Sequence, residues 1–395
     1  MLTRKRKLIL ASFAIIIGVI FGCLLGEIGT RIIAPPWLKV QMKEMNLARN
    51  AALFGSDVGW SVETTDGKFI RFVPNTHFDV HYYEYNHSVH IDQTGGRVVN
   101  SNKSNPGEVI PFLGDSFAFG IGVEDDQTFI NLSASHSPYH YINLSVPGSA
   151  LPNQLDQLEF RHKELKSPRV YVFVFFAGND YADIYRYYSK IPQGKGNEPG
   201  RLLTWIDSKI FRNRMLGKSY LLQLIKHTLL KQYFYTDRHT EALPETCAIR
   251  TGGKQVTNSA LCIMAGNQQC INELDKYVKK SVERLDELSR KLRFVPIFLI
   301  IPEKSQVNES LLTTKAARWG FEPKDLNVEL PNTIIEKELL QYGIRYIDLS
   351  ECLKKSKDFY YRIDDHFTPA GHRAVADYLK GKLDAAIASS IQARK

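Results

Sequence analysis

From residue 108 onward, short continuous apolar runs alternate with stretches in which apolar residues recur every three or four positions. The apolar runs are 108–114 (EVIPFLG), 140–146 (HYINLSV), 169–180 (RVYVFVFFAGND), 294–302 (FVPIFLIIP) and 344–350 (IRYIDLS). Runs of this length that are nearly all apolar predict strands buried on both faces, as in a parallel sheet. Between them, 125–137 has the acidic first turn of a helix, and 153–166 sets Leu155, Leu158 and Leu165 near one face. Residues 271–293 repeat Leu274, Val278, Val282, Leu285, Leu288 and Leu292 at helical steps. Residues 331–343 predict a helix stopped by Gly343, and a last helix starts at Thr368 as N-cap with Pro369 in the first helical position. Strand and helix in alternation predict an α/β fold: a doubly wound five-stranded parallel sheet flanked by helices, with right-handed crossovers.

Before residue 108 the pattern differs. Leu8 to Leu25 is an uncharged stretch of 18 residues behind the basic cluster Arg4–Lys7. At ~1.5 Å per residue it is just long enough for most of a hydrocarbon core, and the basic cluster is expected to stay cytoplasmic. The expectation is an uncleaved transmembrane helix, single-pass in the cytoplasmic membrane, with the rest of the chain on the periplasmic side. A cleaved signal, or a lipoprotein signal ending at Cys23, are the alternatives. No small-residue cleavage site follows, and Phe21 and Leu24-Leu25 suit a continuing span better. Residues 27–107 are polar, aromatic and turn-rich; 77–92 (HFDVHYYEYNHSVHID) predicts short strands or a hairpin and shows no catalytic pattern. The expected organisation is therefore 1–26 as basic tail and anchor, 27–107 as lead-in, and 108–395 as the α/β domain. A large insertion at about 181–270, after the third strand, interrupts that domain.

Composition changes this picture little. The net charge is +9, and four of those charges are Arg4, Lys5, Arg6 and Lys7. With no basic stripe interleaved with aromatics, nucleic acid is not an expected partner. Gly114, Gly120 and Gly122 lack the G-x-G-x-x-G spacing of a dinucleotide loop, so no cofactor is expected. Beyond Cys23, four cysteines remain: Cys247, Cys262, Cys270 and Cys352. They have no zinc-ligand spacing, so no metal is expected; on the far side of a membrane they read as structural disulfides, with three pairings open.

The chemistry sits where the strands end. The first strand runs into Gly114-Asp115-Ser116, the second into Val146-Pro147-Gly148 and the third into Gly178-Asn179-Asp180. The last strand is followed, after a loop, by IDDHFTPAGH (363–372). In a doubly wound sheet these loops share one rim. A serine nucleophile needs a base, the base needs an orienting acceptor, and the oxyanion needs donors. Ser116 suits the nucleophile, His366 the base and Asp364 the acceptor. The N–H groups of Ser116 and Gly148 and the Asn179 amide suit an oxyanion hole. Each piece alone reads as an ordinary turn, cap or surface histidine; their common placement at one rim makes the set specific. Asp365 stands next to His366 and is expected to point elsewhere, and His372 is expected to face solvent or the preceding loop.

These blocks resemble those of the SGNH hydrolases, also called GDSL esterases. FLGDSFAFG resembles the nucleophile block, NLSVPGSA the glycine block, FFAGNDYADI the asparagine block and IDDHFTPAGHRAVADYL the terminal histidine block. The resemblance covers roughly 108–388 apart from the insertion. It implies a flavodoxin-like α/β fold and a serine esterase working through a Ser-acyl intermediate. One departure concerns the acid: the commonest family form has it three residues before the histidine, where this chain has Ile363, and Asp364 stands two before. That D-x-H ending, with one amino-terminal span, is similar to membrane-anchored bacterial proteins that modify cell-surface polysaccharides. The resemblance thus implies an ester-bearing, carbohydrate substrate carrying O-acetyl groups, with polysaccharide-assembly proteins as partners. O-acyl transfer by the same triad, or a non-catalytic accessory role, are the rival readings. Tyr181, Tyr185, Tyr187 and Tyr188 at the start of the insertion could stack on sugars or pack against the sheet.

Overall fold

The computed structural model describes residues 18, 21–33, 63–65, 69–81, 84–100, 107–189, 219–229, 243–251, 254–256, 258–362 and 364–392. Contacts within the chain divide it into two units: Met1–Ala51 with Gly196–Arg238, and Ala52–Lys195 with His239–Lys395. In chain order the strands are β1 (Glu63–Thr65), β2 (Phe69–Arg71), β3 (His77–His81), β4 (Asn86–His90), β5 (Val109–Leu113), β6 (His140–Asn143), β7 (Val170–Phe176), β8 (Ile249–Thr251), β9 (Lys254–Val256), β10 (Val295–Ile301) and β11 (Arg345–Asp348).

In the larger unit, five of these form one sheet in the order β11-β10-β7-β5-β6, with every neighbouring pair parallel. Counted along the chain, the order is second, first, third, fourth, fifth, and the reversal lies between β5 and β7. Ligands of open α/β sheets bind at that switch point, outside the carboxyl ends of the strands. Side chains alternate between the two faces, and both faces are covered. Leu113, Phe173, Phe175 and Phe298 pack with Leu155, Leu274, Val278 and Leu285 on one side. Phe112, Val172, Val174 and Leu299 pack with Phe129, Val375 and Leu379 on the other. Two covered faces are why β7 is apolar at every position and buried throughout.

The helices depart from the sequence pattern in definable places. The expected 125–137 helix is a 3₁₀ turn, Asp125–Gln127, followed by Phe129–Ala134, because Thr128 is extended and its hydroxyl caps Asn131 N–H. The last helix is two, Pro369–Leu379 and Lys382–Gln392, parted at Gly381, whose φ is +75°. His372 does not face solvent: it is 1% exposed. Its Nδ1 accepts Phe129 N–H at 3.1 Å, and burial pushes its pKa down to about 3, so it is a neutral acceptor joining two helices. Of the four cysteines, Cys247 and Cys270 form a disulfide, while Cys262 and Cys352 are buried, their thiols donating to the carbonyls of Cys247 and Leu349 rather than forming a second bridge. The tyrosines at the start of the expected insertion lie on the helix Asp180–Ser189 and are engaged within the fold. Tyr181 is buried and bonded to the Pro331 carbonyl, Tyr185 and Tyr188 pack on Tyr277, and Tyr187 donates to Asp156.

The lead-in forms the antiparallel hairpin β3–β4. Its Phe72, Phe78, Val80, Tyr85, Val89 and Ile91 share a cluster with Phe119, Ile121 and Val146 from the first two rim loops. Arg97, fully buried, donates to the carbonyls of Phe119, Gly120 and Val123 and to Asp125.

In the smaller unit, residues 21–33 are helical. The Glu27 carboxylate accepts from Ser219 Oγ and from the N–H groups of Tyr220 and Leu221, capping the helix Tyr220–Leu229. Phe21, Leu24, Leu25, Ile28, Ile32 and Ile33 are exposed. Among the described residues no helix is long and apolar enough to cross a membrane, and most of Leu8–Leu25 lies outside them.

The turn out of β5 leaves no room for a side chain at Gly114. An added Cβ on Gly114 would stand 2.6 Å from Ala118 Cβ and 2.9 Å from Val174 Cβ. Gly114→Ala is expected to destabilise the larger unit by ~1–3 kcal/mol, the usual cost of overpacking. Urea denaturation checks this as a lower midpoint at unchanged slope.

Candidate active site

The nucleophile turn follows from three adjacent residues. Gly114 lets the chain pass between Ala118 and Val174. Asp115 then caps the short helix Ser116–Phe119, its carboxylate accepting Phe117 N–H at 2.9 Å. Ser116 is the first helical residue and is half-buried among fully buried neighbours. Its N–H has no acceptor inside the helix, as at any helix start.

The candidate base, His366, comes from the other end of the chain. Tyr360 and Phe367 form a β-bridge, and Tyr361 N–H donates to the His366 carbonyl at 2.9 Å, so 360–367 is a closed loop. Its tip carries Asp364 and His366. His366 Nε2 is 2.7 Å from Ser116 Oγ, and Nδ1 is hydrogen-bonded to Asp364 Oδ1. An ionised carboxylate only accepts, so Nδ1 carries the ring hydrogen and the Nε2 lone pair is left for the serine hydroxyl. Burial alone would push the Asp364 carboxyl up; hydrogen bonds from His366 and Tyr85 outweigh it and hold its pKa below the ordinary range. The Phe117 ring, 5.0 Å from the imidazole between centroids, packs beside it. Asp365 points away from the imidazole, with Lys304 Nζ at 3.6 Å.

The other two predicted residues stand on the neighbouring loops of the same rim. Gly148, after β6, is exposed with φ +74°, a conformation that favours glycine. Asn179, after β7, donates from Nδ2 to Asp183 Oδ2 at 2.9 Å, one turn along the helix Asp180–Ser189. An amide nitrogen has two hydrogens, so one remains for a further acceptor. Neither residue is hydrogen-bonded to Ser116, His366 or Asp364, so the structure joins three of the five predicted residues directly and sets two on flanking loops. The chemistry this allows is acyl transfer: a hydroxyl, a base aimed at it and an acid behind the base, with the expected oxyanion donors Gly148 and Asn179 on the flanking loops.

Several residues that serve this arrangement carry no sequence signal. Tyr85 OH donates to Asp364 Oδ2 at 3.2 Å, and the Glu84 carboxylate accepts the N–H groups of Arg362 and Asp364 at 2.8 and 2.6 Å. Lys304, only 5% exposed, donates to the carbonyls of Tyr361 and Arg362 at 2.6 and 2.9 Å. Below the site, Asp115 and Asp180 are both buried. Burial pushes each carboxyl above its ordinary range; the Asp183 charge adds to both, and Asp115 adds to Asp180. Among the described residues, no group of His, Cys, Asp and Glu is arranged to hold a metal ion.

Several solved structures are similar to the chain at low identity. One is a member of the lipolytic protein G-D-S-L family from Veillonella parvula DSM 2008, at 11% identity over 69% of this chain and 96% of that one, TM-score 0.36. A second is the lipase Lip_vut3 from a goat rumen metagenome, at 12% identity over 69% and 96%, TM-score 0.37. A third is a Corynascus thermopiles carbohydrate esterase family 2 enzyme with its carbohydrate binding domain, at 13% identity over 75% and 69%, TM-score 0.36. No protein-family model matches the chain, and no curated protein matches it in sequence.

Two outcomes follow from the geometry of the site. On the expectation that Asn179 is an oxyanion donor, Asn179→Ala should lower kcat on a simple ester by on the order of 10²–10³ with little change in melting temperature. A buried carboxyl with a raised folded-state pKa stabilises the fold while protonated, below its unfolded value of about 4, and loses that contribution as pH rises through the folded value. Asp180→Asn should therefore gain on the wild type in melting temperature as pH rises from about 4 to about 8. Thermal denaturation of both proteins across that range checks the sign.

Proposed function

We propose that the chain is a serine esterase. The observation that carries this is the unbroken hydrogen-bonded line from Asp364 through His366 to Ser116. In the forward step Nε2 takes the Ser116 proton as Oγ bonds to the ester carbonyl carbon. The tetrahedral oxyanion is met by the N–H groups of Ser116 and Gly148 and the free hydrogen of the Asn179 amide. On collapse the C–O bond to the alcohol breaks, and the imidazolium returns its proton to the departing oxygen. Water, deprotonated by the same nitrogen, then releases the acid from the acyl-enzyme. Asp364 stays ionised throughout and stabilises the imidazolium.

The proposed substrate is an O-acetyl ester on a cell-surface polysaccharide, met outside the cytoplasmic membrane. The Cys247–Cys270 disulfide supports an oxidising compartment. The uncharged Leu8–Leu25 run, and the exposed apolar side chains that continue from it to Ile33, support an amino-terminal membrane anchor.

Incubation of the full chain with a fluorophosphonate and with 4-nitrophenyl acetate tests the reaction, and release of acetate from an acetylated oligosaccharide tests the substrate. Ser116→Ala and His366→Ala should each abolish labelling and lower hydrolysis by several orders of magnitude without unfolding, because members of a triad act as a unit. An unchanged rate in Ser116→Ala would refute the reading.

A further inference from the structure

We propose that Glu84 and Tyr85, which immediately precede β4 in the lead-in hairpin, are positioning residues that hold Asp364 in line with His366. The inference rests on the esterase reading above and adds to it a part of the chain outside the α/β sheet.

Asp364 has two oxygens with separate tasks. Oδ1 accepts the ring hydrogen of His366 and its backbone N–H, the latter at 2.8 Å. Oδ2 accepts from Tyr85 OH. With both oxygens engaged the carboxylate cannot turn about its last bond; with Oδ2 released it could. Tyr85 is itself held by packing. Its ring lies 4.9 Å from that of Tyr361, whose own hydroxyl donates to the Gly122 carbonyl at 2.7 Å. The ring also belongs to the cluster with Phe119, Ile121 and Val146, so its hydroxyl is aimed from a fixed base.

Glu84 acts on the backbone of the same loop. Its two oxygens each take one N–H, from Arg362 and from Asp364. Lys304 takes the carbonyls of Tyr361 and Arg362. The loop backbone is thus held by a carboxylate on its N–H groups and an ammonium on its carbonyls, both charge-assisted. A one-ångström error in the acid would be passed to the imidazole, and catalysis depends on such small displacements.

The test uses the full chain, 4-nitrophenyl acetate hydrolysis and the rate of fluorophosphonate labelling of Ser116. Tyr85→Phe keeps the ring and removes only the hydroxyl. It should lower kcat about tenfold with KM within about twofold, since no substrate contact is lost. In a double-mutant cycle, Asp364→Ala with Tyr85→Phe should be no slower than Asp364→Ala alone, because Tyr85 acts only through that carboxylate. Glu84→Gln provides a second variant should Tyr85→Phe fold poorly, and the same split between kcat and KM is expected. Wild-type rates in both variants, or losses that multiply with Asp364→Ala, would overturn the inference. If Ser116→Ala keeps the wild-type rate, the esterase reading falls and this one with it. If Ser116→Ala is inactive and neither Tyr85→Phe nor Glu84→Gln is impaired, only the positioning role falls.

Discussion

One imidazole, suspended between two oxygens, sets the demands on everything around it. His366 reaches Ser116 across 250 residues of chain and Asp364 across two. A hydrogen bond of this kind tolerates a few tenths of an ångström. Both ends must therefore be carried on elements that cannot drift. On the serine side that element is β5, with buried strands on both sides of it and an N-cap that fixes the turn. On the histidine side it is a bridged loop whose ends are tied into the helix Pro369–Leu379, whose N-cap is Thr368. The two ends are then brought together by the order of strands, since the reversal between β5 and β7 opens the crevice at the place where Ser116 emerges.

The buried carboxyls below the site show the cost of building there. Asp115 is needed as a cap, and Asp180 accepts Phe176 N–H at 3.0 Å and so ends β7. Both are removed from water, and one oxygen of each finds no partner. A buried acceptor left unmatched is unfavourable. Protonation lowers the penalty by removing the charge, which is the physical sense of their raised pKa values. The loops that carry Ser116 and Asn179 are thus held by local bonds whose acceptors would be more stable in solvent.

How much of this was legible in the sequence varied with the kind of interaction. The five sheet strands could be read because a strand covered on both faces has few polar positions. Ser116, Asp364 and His366 could be singled out because a nucleophile, an acid and a base each call for few side-chain types, and each fell at a strand end or before a helix; the structure brings the three into hydrogen-bonding contact. Helix breaks were harder. Thr128 and Gly381 interrupt runs whose apolar spacing is otherwise helical, and only backbone angles show it. The burial of His372 could not be read, since a neutral histidine accepting one N–H leaves no pattern of its own. Cysteine spacing allowed three pairings, and the fold brings only Cys247 and Cys270 within bonding distance.

Arg97, Glu84 and Tyr85 were the least legible, and the reason is general. A residue that holds another residue can be of many types, and it acts through contacts formed only when distant segments meet. Arg97 takes three carbonyls of the loop after Ser116, and Glu84 takes two N–H groups of the loop before His366. The same lead-in thus grips both halves of the triad, one through its carbonyls and the other through its amides. The sheet sets the crevice, and the lead-in is bonded to the loops on both sides of it. A lead-in with no catalytic pattern of its own is then as much a part of the site's geometry as the strands that deliver the serine.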